Sequence, residues 1–293
     1  MGDGAIAELE AMGHLVVRLI GVDADDLSRT AREQVLSGRI DALIVAGGDG
    51  MVNLGVNAVA DTPLPLGIIA AGTGNDVARA FGLPVRDSVA AAEAISKALA
   101  DPAEHQLSVD VAHCHDGASG FDRRFVGVMG LGFDTLVNER ANEIKWPRGS
   151  SRYNLAMLVE LPVFKPRHYE LELDGESWSG PAIMVTVANT QSYGGGMRIC
   201  PEADPADGLF DVLILHPIST FELLRVFPQV YAGTHLDHPA VEIRRCRSLR
   251  VDARPIGGKQ IIGYADGERF APLPLHCELL PRALSVLTGT VRP

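Results

Sequence analysis

The first hundred residues alternate between two hydrophobic periods. Ile6, Leu9 and Met12 recur every three positions, one face of a short helix. Residues 14–20 then run apolar and β-branched, which predicts a strand. Residues 27–36 predict a helix capped by Asp25 or Asp26, and residues 40–46 a short apolar strand that stops at Gly47-Gly48. A helix over 51–60, a buried strand over 66–69, a helix over 76–81 and an alanine-rich helix over 88–99 follow. Strands alternating with helices predict a parallel sheet covered by helices on both faces.

The texture changes near Asp101-Pro102. Beyond it short apolar runs dominate, at 107–111, 125–129, 169–173, 183–188, 210–215, 248–251 and 260–265. Asp174-Gly175, Gly194-Gly195-Gly196, Asp207-Gly208 and Asp266-Gly267 separate several of them, the pattern of an antiparallel sandwich or barrel. Helices are expected within it at 153–161 and 220–231, and the boundary between the two textures falls near residue 105.

Composition narrows the function classes. With 293 residues, 46% of them hydrophobic, the chain has room for two domains and a sizeable core. Its 37 acidic against 26 basic residues give a net charge of −11, which disfavours a nucleic-acid binder held by a basic surface. No run of about 18 apolar residues could span a membrane as a helix. The opening Met1-Gly2-Asp3-Gly4 has neither the basic stretch nor the apolar core of a signal peptide, so a cytoplasmic location is expected. Cys114, Cys200, Cys246 and Cys277 are far apart and form no CxxC pair, so neither a structural zinc site nor a disulfide framework is expected.

Two glycine-rich loops carry the sharpest chemistry. Gly47-Gly48-Asp49-Gly50 joins an apolar strand to a helix, where glycines let the backbone approach a ligand and the helix N-terminus favours an anion. Asp49 could hold a metal ion or water beside phosphates, or could simply cap the helix. Gly72-Thr73-Gly74-Asn75-Asp76 repeats the strand-to-helix arrangement, as a second wall of one nucleotide site. Thr73 offers a hydroxyl and Asn75 an amide to phosphate or ribose, while Asn75 or Asp76 can also cap the next helix. No GxxxxGK[ST] loop, GxGxxG fingerprint, GxSxG elbow or HExxH pair is present.

The second half adds acidic segments. Residues 201–211 hold Glu202, Asp204, Asp207 and Asp211, oxygen ligands suited to a hard divalent cation or an exposed acidic turn. Asp266-Gly267-Glu268 reads alone as a hairpin turn. His113 and His115 would share one face of a strand, but no third ligand is near in sequence, so surface histidines are the better reading, as for His235 and His238. Trp146-Pro147 and residues 155–164 suit either an acyl-chain cleft or a core helix. Lys165, Arg167, Arg244, Arg245 and Arg247 suit anionic headgroups or, better, a solvated surface.

Gly47-Gly48-Asp49-Gly50 followed by Gly72-Thr73-Gly74-Asn75-Asp76 resembles the catalytic domain of the diacylglycerol kinase family, and its bacterial soluble lipid kinases above all. Asn189, Gly194-Gly195-Gly196, Pro201, Asp204, Asp207-Gly208, Asp211 and Asp266-Gly267-Glu268 fall in that family's order. The resemblance implies an α/β plus β architecture. Residues 1–106 would form a three-layer α/β domain for ATP and take back residues 278–293. Residues 107–277 would form an antiparallel β-sandwich for the lipid and a metal. It implies phosphoryl transfer from ATP to a hydroxyl of a neutral lipid, most plausibly diacylglycerol to phosphatidic acid. Sphingoid-base or NAD-kinase-like activity, or nucleotide or lipid binding without turnover, are the alternatives. ATP would lie on Gly47, Gly48, Asp49, Gly50, Met51, Val52, Asn53, Gly72, Thr73, Gly74 and Asn75. Mg²⁺ would be held by Asp204, Asp207 and the backbone of Leu209, with Asp211 a weaker candidate. Asp266 or Glu268 would be the base, assisted by Asp49. Transient peripheral contact with a membrane and a homodimer are further expectations, with no nucleic-acid partner. The family opens with an additional strand and an Asn-Pro loop, so the sheet is expected to lack its first strand, through loss or a start assigned too late. Met51 stands where the family has Thr, and Gly127 where it often has Asn.

Overall fold

The computed structural model describes residues 1–117, 120–144, 156, 159, 165–255 and 260–289. Its first elements are α1 (Gly2–Ala11), α2 (Ala24–Leu36), β1 (Leu43–Gly47), α3 (Asp49–Val59), β2 (Leu66–Ala70), α4 (Asp76–Ala80), α5 (Ser88–Ala100) and α6 (Pro102–His105). The cap of α2 is Asp23, whose carboxylate accepts the Asp26 N–H, one turn earlier than the expected Asp25 or Asp26. β1 and β2 pair in parallel from Leu43↔Leu66 to Gly47↔Ala70. Ala5, Leu9, Ala91, Ala92 and Ile95 of α1 and α5 pack together on one face, while α2, α3 and α4 pack on the other.

The expected strand over 14–20 is not one. The segment forms no ladder with any described strand, and Leu15 and Val22 are more than nine-tenths exposed. A cavity of about 600 Å³, lined by Ile6, Leu9, Val17, Val45 and neighbours, lies between it and β1. A β-branched run becomes a strand only where another edge supplies its hydrogen bonds, and here the space beside β1 separates the two.

The remaining strands and helices are β3 (Gln106–His115), β4 (Asp122–Phe125), β5 (Val128–Gly132), α7 (Phe133–Glu143), β6 (Arg167–Leu173), β7 (Glu176–Ala182), β8 (Met184–Ala188), β9 (Phe210–Leu215), α8 (Thr220–Ala232), β10 (Val241–Cys246), β11 (Ser248–Ala253), β12 (Ile262–Ala265), β13 (Glu268–Pro272) and β14 (Leu275–Leu287). They form two sheets. One runs β1-β2-β14-β11-β6-β7, with β3 on β14 and β4 on β3; the other runs β10-β9-β8-β5-β12-β13. Phe125, Met129, Leu131, Tyr169, Phe210 and Leu275, all fully buried, fill the space between them. α7 and α8 cover the outer face of the second sheet.

The expected run at 125–129 is two strands, β4 and β5, because the chain turns at Val126-Gly127. β7, β10 and β13 escape a search for apolar runs: each has charged or polar residues, as in Glu242, Arg244 and Arg245 of β10. α7 was not expected either, since Phe133 and Val137 are its buried apolar anchors. The expected helix at 153–161 and the Trp146-Pro147 and 155–164 cleft lie almost wholly outside the described residues.

Against the expectation for the cysteines, Cys114 and Cys277 form a disulfide. They face each other in the antiparallel register of β3 and β14, a pairing across 163 residues that no local spacing could show. Cys200 and Cys246 are free and buried.

Candidate active site

The two glycine loops meet backbone to backbone. Ala71 and Gly72 N–H groups both donate to Gly47 O, at 2.8 and 3.1 Å. A Cβ on Gly72 would collide with the Gly48 backbone, so only glycine permits this approach. Gly48 is the N-cap of α3, and Asp49 and Gly50 open its first turn, where amide groups lack intrahelical acceptors. Thr73 is exposed on the second loop. Asn75 is buried in the left-handed region at φ 57° and folds back on its own loop, accepting from Gly72 N and donating to Gly72 O. It shapes the loop rather than offering its amide outward. Val52 points into the core, Met51 packs on Gly47, and both N–H groups donate to Gly48 O. Their side chains are therefore turned away from the loop surface that Gly48, Asp49 and Gly50 form.

Asp49 does not cap its own helix. Its Oδ1 accepts the Val77 N–H of α4 at 3.1 Å, tying the first loop to the second helix. Asp76, which the sequence offers only as a cap, is nearly buried. Its Oδ2 accepts the Gly195 N–H at 2.6 Å, and its Oδ1 has no hydrogen-bond partner. Gly194, Gly195 and Gly196 all have positive φ, which lets that hairpin reach across to α4. Burial foremost, with the Asp49 charge adding to it, pushes the Asp76 carboxyl above its ordinary range.

Asp266 sits at the β12–β13 turn in the left-handed region and is buried. Asn53 Nδ2 and Val126 N donate to its Oδ2, both at 3.1 Å, and Gly127 N donates to its Oδ1 at 2.9 Å. Burial outweighs these donors, and the Asp49 charge reinforces it, so its carboxyl is pushed up to about 6. Asn53 also donates to Arg124 O and accepts from Arg123. Glu268, two residues on, is exposed and lies against Gly50 of the first loop.

Asp49, Asp76 and Asp266 therefore converge from α3, α4 and the β12–β13 turn, close enough for Asp49 to repel each of the others. Mutually repelling carboxylates with an unpartnered oxygen on Asp76 fit a hard divalent cation. The acidic loop of the second half fits less well. Asp204 Oδ1 accepts Ala206 N, and Asp207 Oδ1 accepts Leu209 N, both at 3.0 Å, while Asp207 Oδ2 pairs with Arg245. Arg245 thus holds the charge that the expected cation would neutralise, with Asp211 beside it. The loop is anchored by Asp110, fully buried, which accepts Gly208 N and Arg282 N, both at 2.7 Å. Neither Asp110 nor Asp76 was singled out as a site residue.

Residues 4–107 match the diacylglycerol kinase catalytic domain, and residues 127–288 the YegS C-terminal NAD kinase beta sandwich-like domain. A curated Mycobacterium tuberculosis protein named diacylglycerol kinase is 40% identical over 285 residues, 97% of this chain and 88% of its own. This chain belongs to the diacylglycerol kinase family. It is a kinase with an alcohol group as acceptor and ATP as donor. A Bacillus subtilis diacylglycerol kinase is 30% identical over 254 residues, 86% of this chain and 78% of its own. A crystal structure of a Bacillus anthracis diacylglycerol kinase shares the fold at TM-score 0.73 and 22% identity, covering 98% of this chain and 90% of its own. The α/β plus antiparallel β architecture is thus the family's. Among the described residues no helix is long and apolar enough to cross a membrane.

Proposed function

We propose that the enzyme transfers the γ-phosphoryl group of ATP to a hydroxyl of a neutral lipid, diacylglycerol giving phosphatidic acid, with Asp266 as the base. The observation that carries this reading is the convergence of Asp49, Asp76 and Asp266 beside two touching glycine loops. The relatives named diacylglycerol kinase supply the acceptor class, and neither the sphingoid-base and NAD-kinase-like readings nor the non-catalytic one is favoured over it.

Phosphoryl transfer needs positioning and charge neutralisation above all. The Gly47–Gly50 and Gly72–Gly74 backbones and the α3 N-terminus receive the phosphates. Asp49 and Asp76 would hold Mg²⁺, which supplies neutralisation of charge between the phosphates when bound. Asp266 takes the proton of the lipid hydroxyl as its oxygen bonds to the γ-phosphorus; the bond to the bridging oxygen breaks and ADP leaves. A carboxyl near 6 is ionised at neutral pH yet basic enough to accept that proton. Three fixed donors hold it rigidly, whereas Glu268, exposed against Gly50, lines the rim. We place Asp204, Asp207 and Leu209 in a structural loop rather than at the reacting phosphate.

A peripheral membrane contact fits α8. Phe221, Leu224, Pro228 and Tyr231 form an exposed stripe along one side of this helix, and Tyr231 lies near enough to Asp76 to feel its charge. Division into an ATP part, residues 1–106 with 278–293, and a lipid part, residues 107–277, accords with this placement. The test is phosphorylation of a panel of diacylglycerol, sphingosine and NAD with labelled ATP. Label in phosphatidic acid alone is expected; label in another acceptor, or ATP binding without transfer, overturns the reading.

A further inference from the structure

The sequence offers His113 and His115 as a pair without a third ligand. The fold supplies the third. In the antiparallel register of β3 and β14, His115 lies opposite His276 and His113 opposite Glu278. On the other side of β3, Asp122 of β4 lies opposite His115. Cys114 and Cys277, between these positions, point the other way into the sandwich core, where they are bonded to each other. Side chains alternate along a strand, so His113, His115, His276 and Glu278 stand together on the outer face, and Asp122 reaches them.

The distances match a chelating geometry. The His115 and His276 ring centres are 5.3 Å apart, and those of His113 and His115 are 6.0 Å apart. Metal–imidazole bonds of about 2.0–2.1 Å in a tetrahedral site place ligand ring centres roughly 5 Å apart. Small rotations about the side-chain bonds would bring all three rings onto one ion. Carboxylates already flank the cluster: His113 Nδ1 lies 3.2 Å from Glu278 Oε1, and its Nε2 lies 3.1 Å from Asp122 Oδ1. A carboxylate on the far nitrogen of a ligating histidine orients the ring and raises its basicity. Either acid could also enter as a fourth ligand. Among the described residues no hydrogen bond engages the His115 or His276 ring; they stack on each other at 5°. Arg124 is the neighbouring cation, and it is drawn off towards Asp61 at 2.8 Å as well as towards Asp122 at 3.4 Å.

We propose that His113, His115 and His276, flanked by Glu278 and Asp122, form a binding site for a divalent transition-metal ion that prefers imidazole, zinc being the type. Imidazole suits zinc, nickel and copper, whereas Mg²⁺ prefers oxygen ligands, so this site is chemically distinct from the carboxylates of the cleft. Those carboxylates lie on α3, α4 and the β12–β13 turn, not on this face of β3 and β14.

The experiment is calorimetric titration of the chelator-washed full-length protein with Zn²⁺ alone, in buffer with excess Mg²⁺. One saturable site per chain is expected. Replacing a ligand, as in His276→Ala or His115→Ala, is expected to weaken binding by at least about tenfold, and Glu278→Gln by roughly tenfold or more. His276→Asn, closer in size, guards against misfolding, and circular dichroism checks each variant. His168→Ala, at a histidine that instead contacts Ser179 on β7, is expected to leave binding unchanged. Absence of saturable binding would reduce the cluster to a surface ion network. Binding that survives His276→Ala, His276→Asn and His115→Ala would also overturn the proposal. It would point instead to Asp101, Glu104 and His105, whose ligand atoms lie within 4.8 Å of one another.

Discussion

Asn53 Nδ2 donates to Asp266 Oδ2 over 3.1 Å, joining the helix after the first glycine loop to a turn 213 residues later. The same carboxylate accepts Val126 and Gly127 N–H groups. Its position is therefore fixed from three directions before any substrate arrives. Asp266→Asn is expected to lower turnover by about 10²- to 10⁴-fold with ATP affinity little changed. Glu268→Gln is expected to have a much smaller effect. Steady-state kinetics of both variants at saturating ATP and lipid decide between them, and the opposite ranking would make Glu268 the base.

The same residue sets a pH dependence. With its carboxyl near 6 in the folded protein against an ordinary 3.8, Asp266 is protonated below about pH 6. Wild-type turnover is expected to fall as pH drops through about 6. Its effect on stability has the opposite sign: a raised acid favours the folded state most below about pH 4, and that contribution is lost as pH rises through 6. A pH–rate profile and a pH series of denaturant midpoints would read the two trends. A rate that stays flat from pH 7 to 5 would remove Asp266 from the proton transfer.

Gly72→Ala tests the contact between the loops. The added Cβ would meet the Gly48 backbone, which has no flexible end to move aside. Overpacking of this kind costs about 1–3 kcal/mol, and any relief must spread the loops that receive the phosphates. Nucleotide affinity and the thermal midpoint are both expected to drop. A variant with unchanged ATP binding would show that the close approach has no bearing on the nucleotide.

The divalent cation can be assigned by comparing two variants. Asp76→Asn removes a charge from the cleft, whereas Asp207→Ala removes the partner of Arg245. Asp76→Asn is expected to raise the Mg²⁺ concentration for half-maximal rate severalfold, and Asp207→Ala to lower thermal stability with little change in that requirement. The reverse pattern would return the ion to the acidic loop.

Phe221→Asp and Leu224→Asp place charge on the outer stripe of α8 without disturbing Val226 and Val230, which face inward. Both variants are expected to lose activity on diacylglycerol in vesicles while keeping it on the same lipid dispersed in detergent. Equal activity in both formats would dissociate α8 from the membrane.

What the sequence disclosed was local. The glycine loops could be read because their residues are neighbours and their helices follow at once. Val52 was misread as a ligand, although helical spacing from Val56 and Val59 already placed it on the inward face. Asp76 was part of the motif that carried the resemblance, yet its partner Gly195 lies over a hundred residues away. The grip of Asp110 on Gly208 and Arg282 and the bond between Cys114 and Cys277 join segments that only the folded register brings together. The edge strands β7, β10 and β13 stayed hidden because partial exposure replaces a solid apolar run with polar residues.

β14 bears on how the chain reaches this state during synthesis. The strand begins against β11, runs along β3 and ends beside β2, where Val286 pairs with Leu66. Leu284, Val286 and Leu287 contribute to the cores on both faces of the parallel sheet. The ribosome thus delivers β1, β2 and their helices long before the strand that completes their sheet. Contacts so distant in sequence form slowly, and an apolar edge that waits for its partner is open to wrong pairing in the meantime. Refolding of the nascent amino-terminal half is therefore expected to depend on chaperone protection until the last strand emerges.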